Sequence, residues 1–526
     1  MRVAQAWFVA AAALSVLPAA LAAQTGATDD QPGADAALDP LASPTARTAA
    51  TFRDAEGRYS RIIVDPRRDL PTSIRGSFSI AGVGDIVATR PTSRDARPGV
   101  QAIYDVLRQA DVAFGNFEAT LMEPEEADGE QERQLFFMAL GRPEIADDIK
   151  RIGLDIVGRA NNKSTTFGVA GMRATSRELD RVGIVWAGVG ENSAAAARAR
   201  YLETPNGRVG LVSVTANSER DARPAGDLSG GTPGANALHV SRTVTISQQS
   251  FDALRSAHAS SPWMFPGRYP ILSGPGRTYE ERGERLKLFD NVYTVGDKPD
   301  YSYAIRPGDL EALVREVRNA KYNSNFVITT IHAHEWNVPE NATQPDQEAR
   351  TPPDFLVKVA RASIDNGADI FYAHGEGELR GIEIYKNKPI FYQLGNFIRH
   401  PFLSPLWEQG LWSEAHAVPG YDPSLSNIIT QAEVAGGLHP VQHSREYFES
   451  FVPVTRYENG KLSEIIIYPV DMKFDGPFAD IGTPLLAHGA TAQKILNIIK
   501  TESAKLGTTM IVRGDLGYIR IAQPAR

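Results

Sequence analysis

Residues 326–335 read Phe-Val-Ile-Thr-Thr-Ile-His-Ala-His-Glu, an apolar run that stops at two histidines and a carboxylate. Phe326–Ile331 has the length and residue types of a buried strand, so His332, His334 and Glu335 fall at its carboxyl end. If the strand continues, His332 and His334 share one face. Two imidazoles and a carboxylate have little structural reason to gather there. The segment therefore predicts a strand of an α/β sheet and a place where ligands are held.

The flanking sequence extends that pattern. Asp309–Arg318 before it reads as a helix, and Pro353–Ile364 after it places Phe355, Leu356, Val359 and Ile364 at helical spacing. Asp369–Tyr372 is the next strand and ends at His374. Ile382–Tyr385 and Pro389–Leu394 read as a strand pair turning at Asn387. Upstream, Ser77–Val83 runs into Gly84-Asp85, Asp111–Phe114 into Asn116 and Glu118, and Leu154–Val157 toward Asn161-Asn162. Helical patterns separate these strands, with Val100, Ile103, Tyr104 and Leu107, then at Pro143–Ile152 and Ala170–Val182. Ile184–Trp186 and Val209–Val214 follow as strands. Repeated β-α-β alternation predicts an α/β domain.

Residues 217–305 break the alternation. They are rich in Gly, Pro, Ser and Arg, with helix-like pieces near 248–258 and 278–288, and read as an insertion. Such a segment forms either a wall of the site or a plain surface elaboration. Residues 401–526 are expected to complete the 73–400 domain, with a strand at Ile465–Tyr468, a helix near Thr491–Leu506, and a hairpin-like pair at Thr509–Val512 and Tyr518–Ile521.

At the other end, Met1-Arg2 precedes an apolar run from Ala6 to Ala20 and the small residues Ala-Leu-Ala-Ala at 20–23. That order predicts a signal peptide over 1–23 and a periplasmic or secreted protein. Membrane contact is then expected only through an uncleaved segment. Residues 24–72 read as a disordered linker. The 526 residues carry a net charge of −8, which argues against a nucleic-acid binder. With no cysteine, disulfides, thiolate zinc sites and cysteine nucleophiles are excluded.

Ligand sites of open α/β sheets form beyond the carboxyl ends of the strands. Asp85, Asn116, Glu118, Asn161, Asn162, His332, His334, Glu335 and His374 all fall there. Taken singly, Asp85 reads more often as a turn former than as a ligand, the Asn pair equally as a turn or cap, and His332 also as a satisfied core histidine. As a set they form an O/N donor group suited to one or two divalent ions of Mn, Fe, Zn or Mg.

Several strings carry a family resemblance: GVGDIV (82–87), FGNFE (114–118), ANNKSTTFGVAGM (160–172), AGVGEN (187–192), IHAHEW (331–336) and HGEGELRGIEIYKNKPIFYQLGNF (374–397). In order and spacing the chain resembles the CapA family of capsule and poly-γ-glutamate synthesis proteins. The resemblance implies a calcineurin-like metallophosphoesterase fold of two facing mixed β-sheets flanked by helices. It implies metal ligands at Asp85, Glu118, Asn162, His332 and His374. His334, with Glu335, is implied as a further ligand or a group that fixes an imidazole tautomer. The sequence departs from the family pattern at Lys163, Thr166 and Gly377, where histidine, aspartate and histidine are usual; Val87 stands where the wider fold has a histidine, which CapA-like proteins commonly lack. Glu376 and Glu378 are additional carboxylates. Lys163 and Asn161 become the candidate catalytic groups, and Arg380 and Arg173 the candidate substrate-binding cations, with Arg90 close to the motifs. Two functions are implied. One is a metal-dependent hydrolase acting on a phosphoester or an amide of an anionic polymer. The other is a non-catalytic protein that binds such a polymer beside capsule export or synthesis machinery.

Overall fold

The computed structural model describes residues 73–126, 139–216, 223–227, 231–260, 285–288, 291–337, 350–400, 445–474 and 480–521. The expected signal peptide and linker, 1–23 and 24–72, lie outside them.

Ser77–Val87 organises the first sheet. From Ile80 to Val87 every residue is buried, on both faces, which suits its near-continuous run of small and apolar side chains. On one side it pairs in parallel with Val112–Phe117, followed by Ile156–Gly158 and Val185–Ala187. On the other it pairs antiparallel with Glu449–Glu458, followed by Lys461–Asp471, Leu516–Arg520 and Ile511–Arg513. Helices Pro98–Gln109, Glu144–Ile152 and Gly168–Arg181 make the crossovers that parallel pairing requires. In the first, proline opens the helix, and Val100, Ile103, Tyr104 and Leu107 form its buried stripe.

The second sheet runs Ile382–Tyr385, Lys388–Phe391, Ile370–Gly375, Phe326–Ala333, Gly207–Thr215, Arg200–Thr204. Its four inner strands are parallel, and its two outer ones antiparallel. The sheets face each other across Ile80, Phe114 and Ile156 on one side and Leu211, Ile328, Tyr372 and Phe391 on the other. The Phe114 and Tyr372 rings stack at 4.8 Å. Helices Asp309–Asn323 and Asp354–Asp365 cover the outer face of the second sheet. Two facing mixed sheets flanked by helices is the architecture the family resemblance implies.

The insertion is more regular than expected. Arg285–Leu288, Asn291–Val295, Val240–Ile246 and Asp300–Ile305 form a four-stranded sheet. The helix-like reading of 278–288 fails where it can be compared: Arg285–Leu288 is a strand. Its side chains alternate exposed and buried, and Leu286 and Leu288 pack on Phe251 of helix Gln248–Ser260. A period of two outweighed helical composition. Tyr303 of this sheet packs on Phe355 at 5.4 Å and donates its hydroxyl to the Trp336 carbonyl at 2.9 Å.

A charge cluster holds the start of the Ile370–Gly375 strand. Asp369 accepts from Lys321 and Lys388, each at 2.9 Å, and from the Val327 N–H at 2.9 Å. Burial alone would raise its pKa, but Lys321 and Lys388 hold it below the usual carboxylate value. We expect Asp369→Ala to cost about 3 kcal/mol, because the buried Lys321 ammonium is left uncompensated. Since the folded pKa is depressed, this stabilisation is present above the unfolded value of about 4 and is lost as pH falls through the folded one. Urea unfolding at pH 7 and again below pH 4 checks both points: the gap between wild type and variant should shrink in acid.

Candidate metal centre

Local backbone geometry aims the first ligand. The Ser77–Val87 strand shifts register against Val112–Phe117 between Gly82 and Asp85, and against Asn396–Arg399 between Asp85 and Ile86. Irregularities of this kind re-aim a side chain. Here they lie on both sides of Asp85. Its carboxylate is fully buried and accepts from Asn116 Nδ2 at 2.7 Å and the Gly375 N–H at 3.0 Å.

The histidines come from adjacent parallel strands, where His332 and His374 are register partners. Both are fully buried, and their Nδ1 atoms lie 3.0 Å apart. Those atoms stand 3.8 Å and 3.3 Å from Asp85 Oδ1. The other nitrogen of His374 lies 2.7 Å from the Thr330 hydroxyl, which fixes the ring. His334 follows on the same face, with Nε2 3.0 Å from His332 Nε2. Ligand atoms of Asp85, His332 and His374 all lie within 4.8 Å of one another.

The turn after Ile156–Gly158 adds the asparagines. Asn161 is wholly engaged in shaping it: Nδ2 donates to Asn116 Oδ1 at 3.0 Å and to the Phe117 carbonyl at 2.8 Å, while Oδ1 accepts from the Lys163 N–H at 3.0 Å. This gives Asn161 a positioning part rather than a reacting one. Asn162 Nδ2 lies 3.2 Å from His334 Nε2, and its buried Oδ1 has no hydrogen-bond partner among the described residues. Glu118 is buried beside Lys163, whose Nζ is 3.8 Å away.

These residues fit a divalent ion. Burial pushes the His332 imidazole well below its ordinary pKa, and the nearness of His334, His374 and Lys163 adds to this. Burial, followed by Lys163, brings His334 down to about 4. Neutral imidazoles offer lone pairs, Asp85 supplies an anionic oxygen, and Asn162 Oδ1 is an oxygen donor without another use. Glu118 differs. Burial and the Asp85 charge push it up to about 8, against the pull of Lys163 and Arg399. The compact group therefore comprises Asp85, His332 and His374, with His334 and Asn162 adjoining and Glu118 tied to Lys163.

Burial also pushes Glu376 and Glu378 up to about 7. Arg380 is buried beside them and donates to the Glu335 carbonyl at 3.0 Å, so its charge is spent among neighbouring acids. Arg173 is exposed and forks onto Glu191 at 2.9 and 2.6 Å; the structure does not bring it into the buried group. Arg90 donates to the Ile481 carbonyl at 2.7 Å. Gly377 has φ +76°, and a Cβ there would meet the Tyr447 ring at 2.4 Å. Tyr447 thus occupies the space of the histidine implied by resemblance.

Asn116 stands at the middle of the network, 3.3 Å from His332 Nδ1 as well as bonded to Asp85 and Asn161. Its place in FGNFE at a strand end signalled the site, but nothing local signalled its bridging part. Arg399, whose charge acts on Glu118 and Asp85, and Thr330 had no sequence signal beyond their nearness to motifs.

The family model described as "Bacterial capsule synthesis protein PGA_cap" matches residues 79–401. Protein y4sH of Sinorhizobium fredii is 35 % identical over 464 residues, covering 86 % of this chain and 94 % of its own. Protein y4uA of the same organism matches to the same extent. The capsule biosynthesis protein CapA of Bacillus anthracis is 22 % identical over 322 residues, covering 60 % of this chain and 58 % of its own.

Proposed function

The chain belongs to the bacterial capsule synthesis family PGA_cap, and from that premise we propose that it is a metal-dependent hydrolase of capsule or exopolymer formation. Its substrate would be a phosphoester or an amide bond in an anionic polymer of the poly-γ-glutamate type. The leader-like residues 1–23 support a periplasmic or secreted site of action, next to capsule synthesis or export machinery. The observation that carries the reading is the buried Asp85, His332 and His374 group.

Asp85, His332 and His374 would hold the ion, with His334 and Asn162 beside them. When bound, such an ion polarises a phosphoryl or acyl oxygen and acidifies a water. The protein's own contribution is an enclosed polar site. Lys163 and Arg399 place positive charge next to the two buried carboxylates Asp85 and Glu118, and this favours an anionic substrate. Lys163→Ala is expected to lower turnover about 100-fold, the scale of losing one preorganised charge, while leaving bound metal unchanged. Steady-state rates with phosphoesters and poly-γ-glutamate, alongside elemental analysis of protein purified without chelators or nickel, test this. Full turnover in the variant removes Lys163 from the mechanism, and no turnover by the metal-loaded wild type on either substrate class sinks the hydrolase reading.

One observation favours a second reading. Lys163 lies against Glu118 at 3.8 Å, which ties up a carboxylate a second ion would use. A one-ion site that retains an anionic polymer without cleaving it fits that arrangement. Calorimetric binding of poly-γ-glutamate that survives complete metal removal, together with absent turnover, would select it.

A further inference from the structure

Glu376 is one of the additional carboxylates after His374 and lies outside the compact ligand group, yet its Oε1 is 3.7 Å from His334 Nδ1. The opposite nitrogen of that ring, Nε2, faces the centre, 3.0 Å from His332 Nε2 and 3.2 Å from the Asn162 amide nitrogen. An amide N–H facing Nε2 makes that nitrogen an acceptor. The ring proton then sits on Nδ1, the side that looks at Glu376. Histidines that offer one nitrogen to a metal commonly give the other N–H to a carboxylate, which sets both tautomer and ring angle. Burial raises the pKa of the Glu376 carboxyl, the charge of the buried Arg380 opposes that rise, and Glu335 and Asp85 add to it.

We propose that Glu376 is a positioning residue for the centre: its carboxylate faces the Nδ1–H of His334 and holds the Nε2 lone pair toward Asp85, His332 and His374. The inference rests on the metal-centre reading and deepens it. A carboxylate at 376 supports the ring from outside, in a segment where Tyr447 leaves no room for a histidine at Gly377. It assigns Glu376 no contact with substrate.

The test is a double-mutant cycle read by metal affinity, with Co²⁺ titrated into full-length apoprotein and followed by its visible absorption. Glu376→Ala should weaken binding about 10- to 100-fold and alter the cobalt bands, while Glu376→Gln, whose amide oxygen still accepts, stays within about threefold of wild type. In a His334→Ala background, Glu376→Ala should add less than about a twofold loss, because it acts through that ring. Full affinity in Glu376→Ala overturns the proposal. So does an equal loss in the Gln and Ala variants, which assigns the effect to charge, and so does a loss that persists without His334. If Glu376→Ala does not fold, Glu376→Met, which fills the space without an acceptor, takes its place: a loss of about 10- to 100-fold supports the proposal and full affinity overturns it. Failure of wild type to bind Co²⁺ sinks the underlying metal-centre reading, a result distinct from all of these.

Discussion

His332→Ala is expected to abolish tight metal binding, lowering affinity by more than about 100-fold, above the range seen when only a supporting partner of a ligand is lost. The reason is geometric. His332 lies against three groups of the centre: His374 Nδ1 at 3.0 Å, His334 Nε2 at 3.0 Å and the Asn116 amide at 3.3 Å. Without it, the compact group keeps only Asp85 and His374, one anion and one imidazole. Glu118→Gln should change affinity only a few-fold, because that carboxylate faces Lys163 and lies outside the compact ligand group. Isothermal titration with Mn²⁺, on protein shown by circular dichroism to be folded, distinguishes the two variants. Equal losses would mean that Glu118 is a ligand on a par with His332. No loss in either would mean the ion sits elsewhere.

Gly84→Ala should prevent folding or cost more than about 4 kcal/mol, a value reached only by severe steric or polar faults. A Cβ at residue 84 would stand 1.7 Å from the Gly395 carbonyl oxygen, which is backbone and cannot swing away. The same oxygen accepts from the Asp85 N–H at 3.2 Å, so separating the segments also loosens the first metal ligand. Gly99→Ala is the contrast. It lies in the first turn of helix Pro98–Gln109, where a Cβ meets only ordinary contacts at 3.5 Å, and it should be neutral or stabilising by about 0.5 kcal/mol. Urea unfolding of both variants gives the comparison. A Gly84→Ala protein as stable as wild type would mean that the 84–395 crossing can open without cost.

Where an element rests on its own periodicity, the sequence was readable. Phe355, Leu356, Val359 and Ile364 form the buried face of Asp354–Asp365 as their spacing requires. The strand Phe326–Ala333 ends within the His-Ala-His motif. Elements that rest on distant partners were not. Glu449–Glu458 holds Pro453, which argues against a central strand. Yet it lies between Ser77–Val87 and Lys461–Asp471, because pairing with Ser77–Val87 stops at Val454 and never asks for the missing N–H. Arg173 illustrates the same limit for charge. Its neighbours in sequence are motif residues, but its partner in space is Glu191.

The sequence by itself determined the class of fold, the run of strands ending in donors, and the family, since each is carried by short-range pattern and local residue type. Tertiary structure alone decided which donors meet. It brought Asp85, His332 and His374 together from two sheets, tied Glu118 to Lys163, made Asn116 the bridge, and set Glu376 against His334. Contacts a few ångströms long between residues up to 290 positions apart depend on strand register and sheet packing, which no local window of sequence contains.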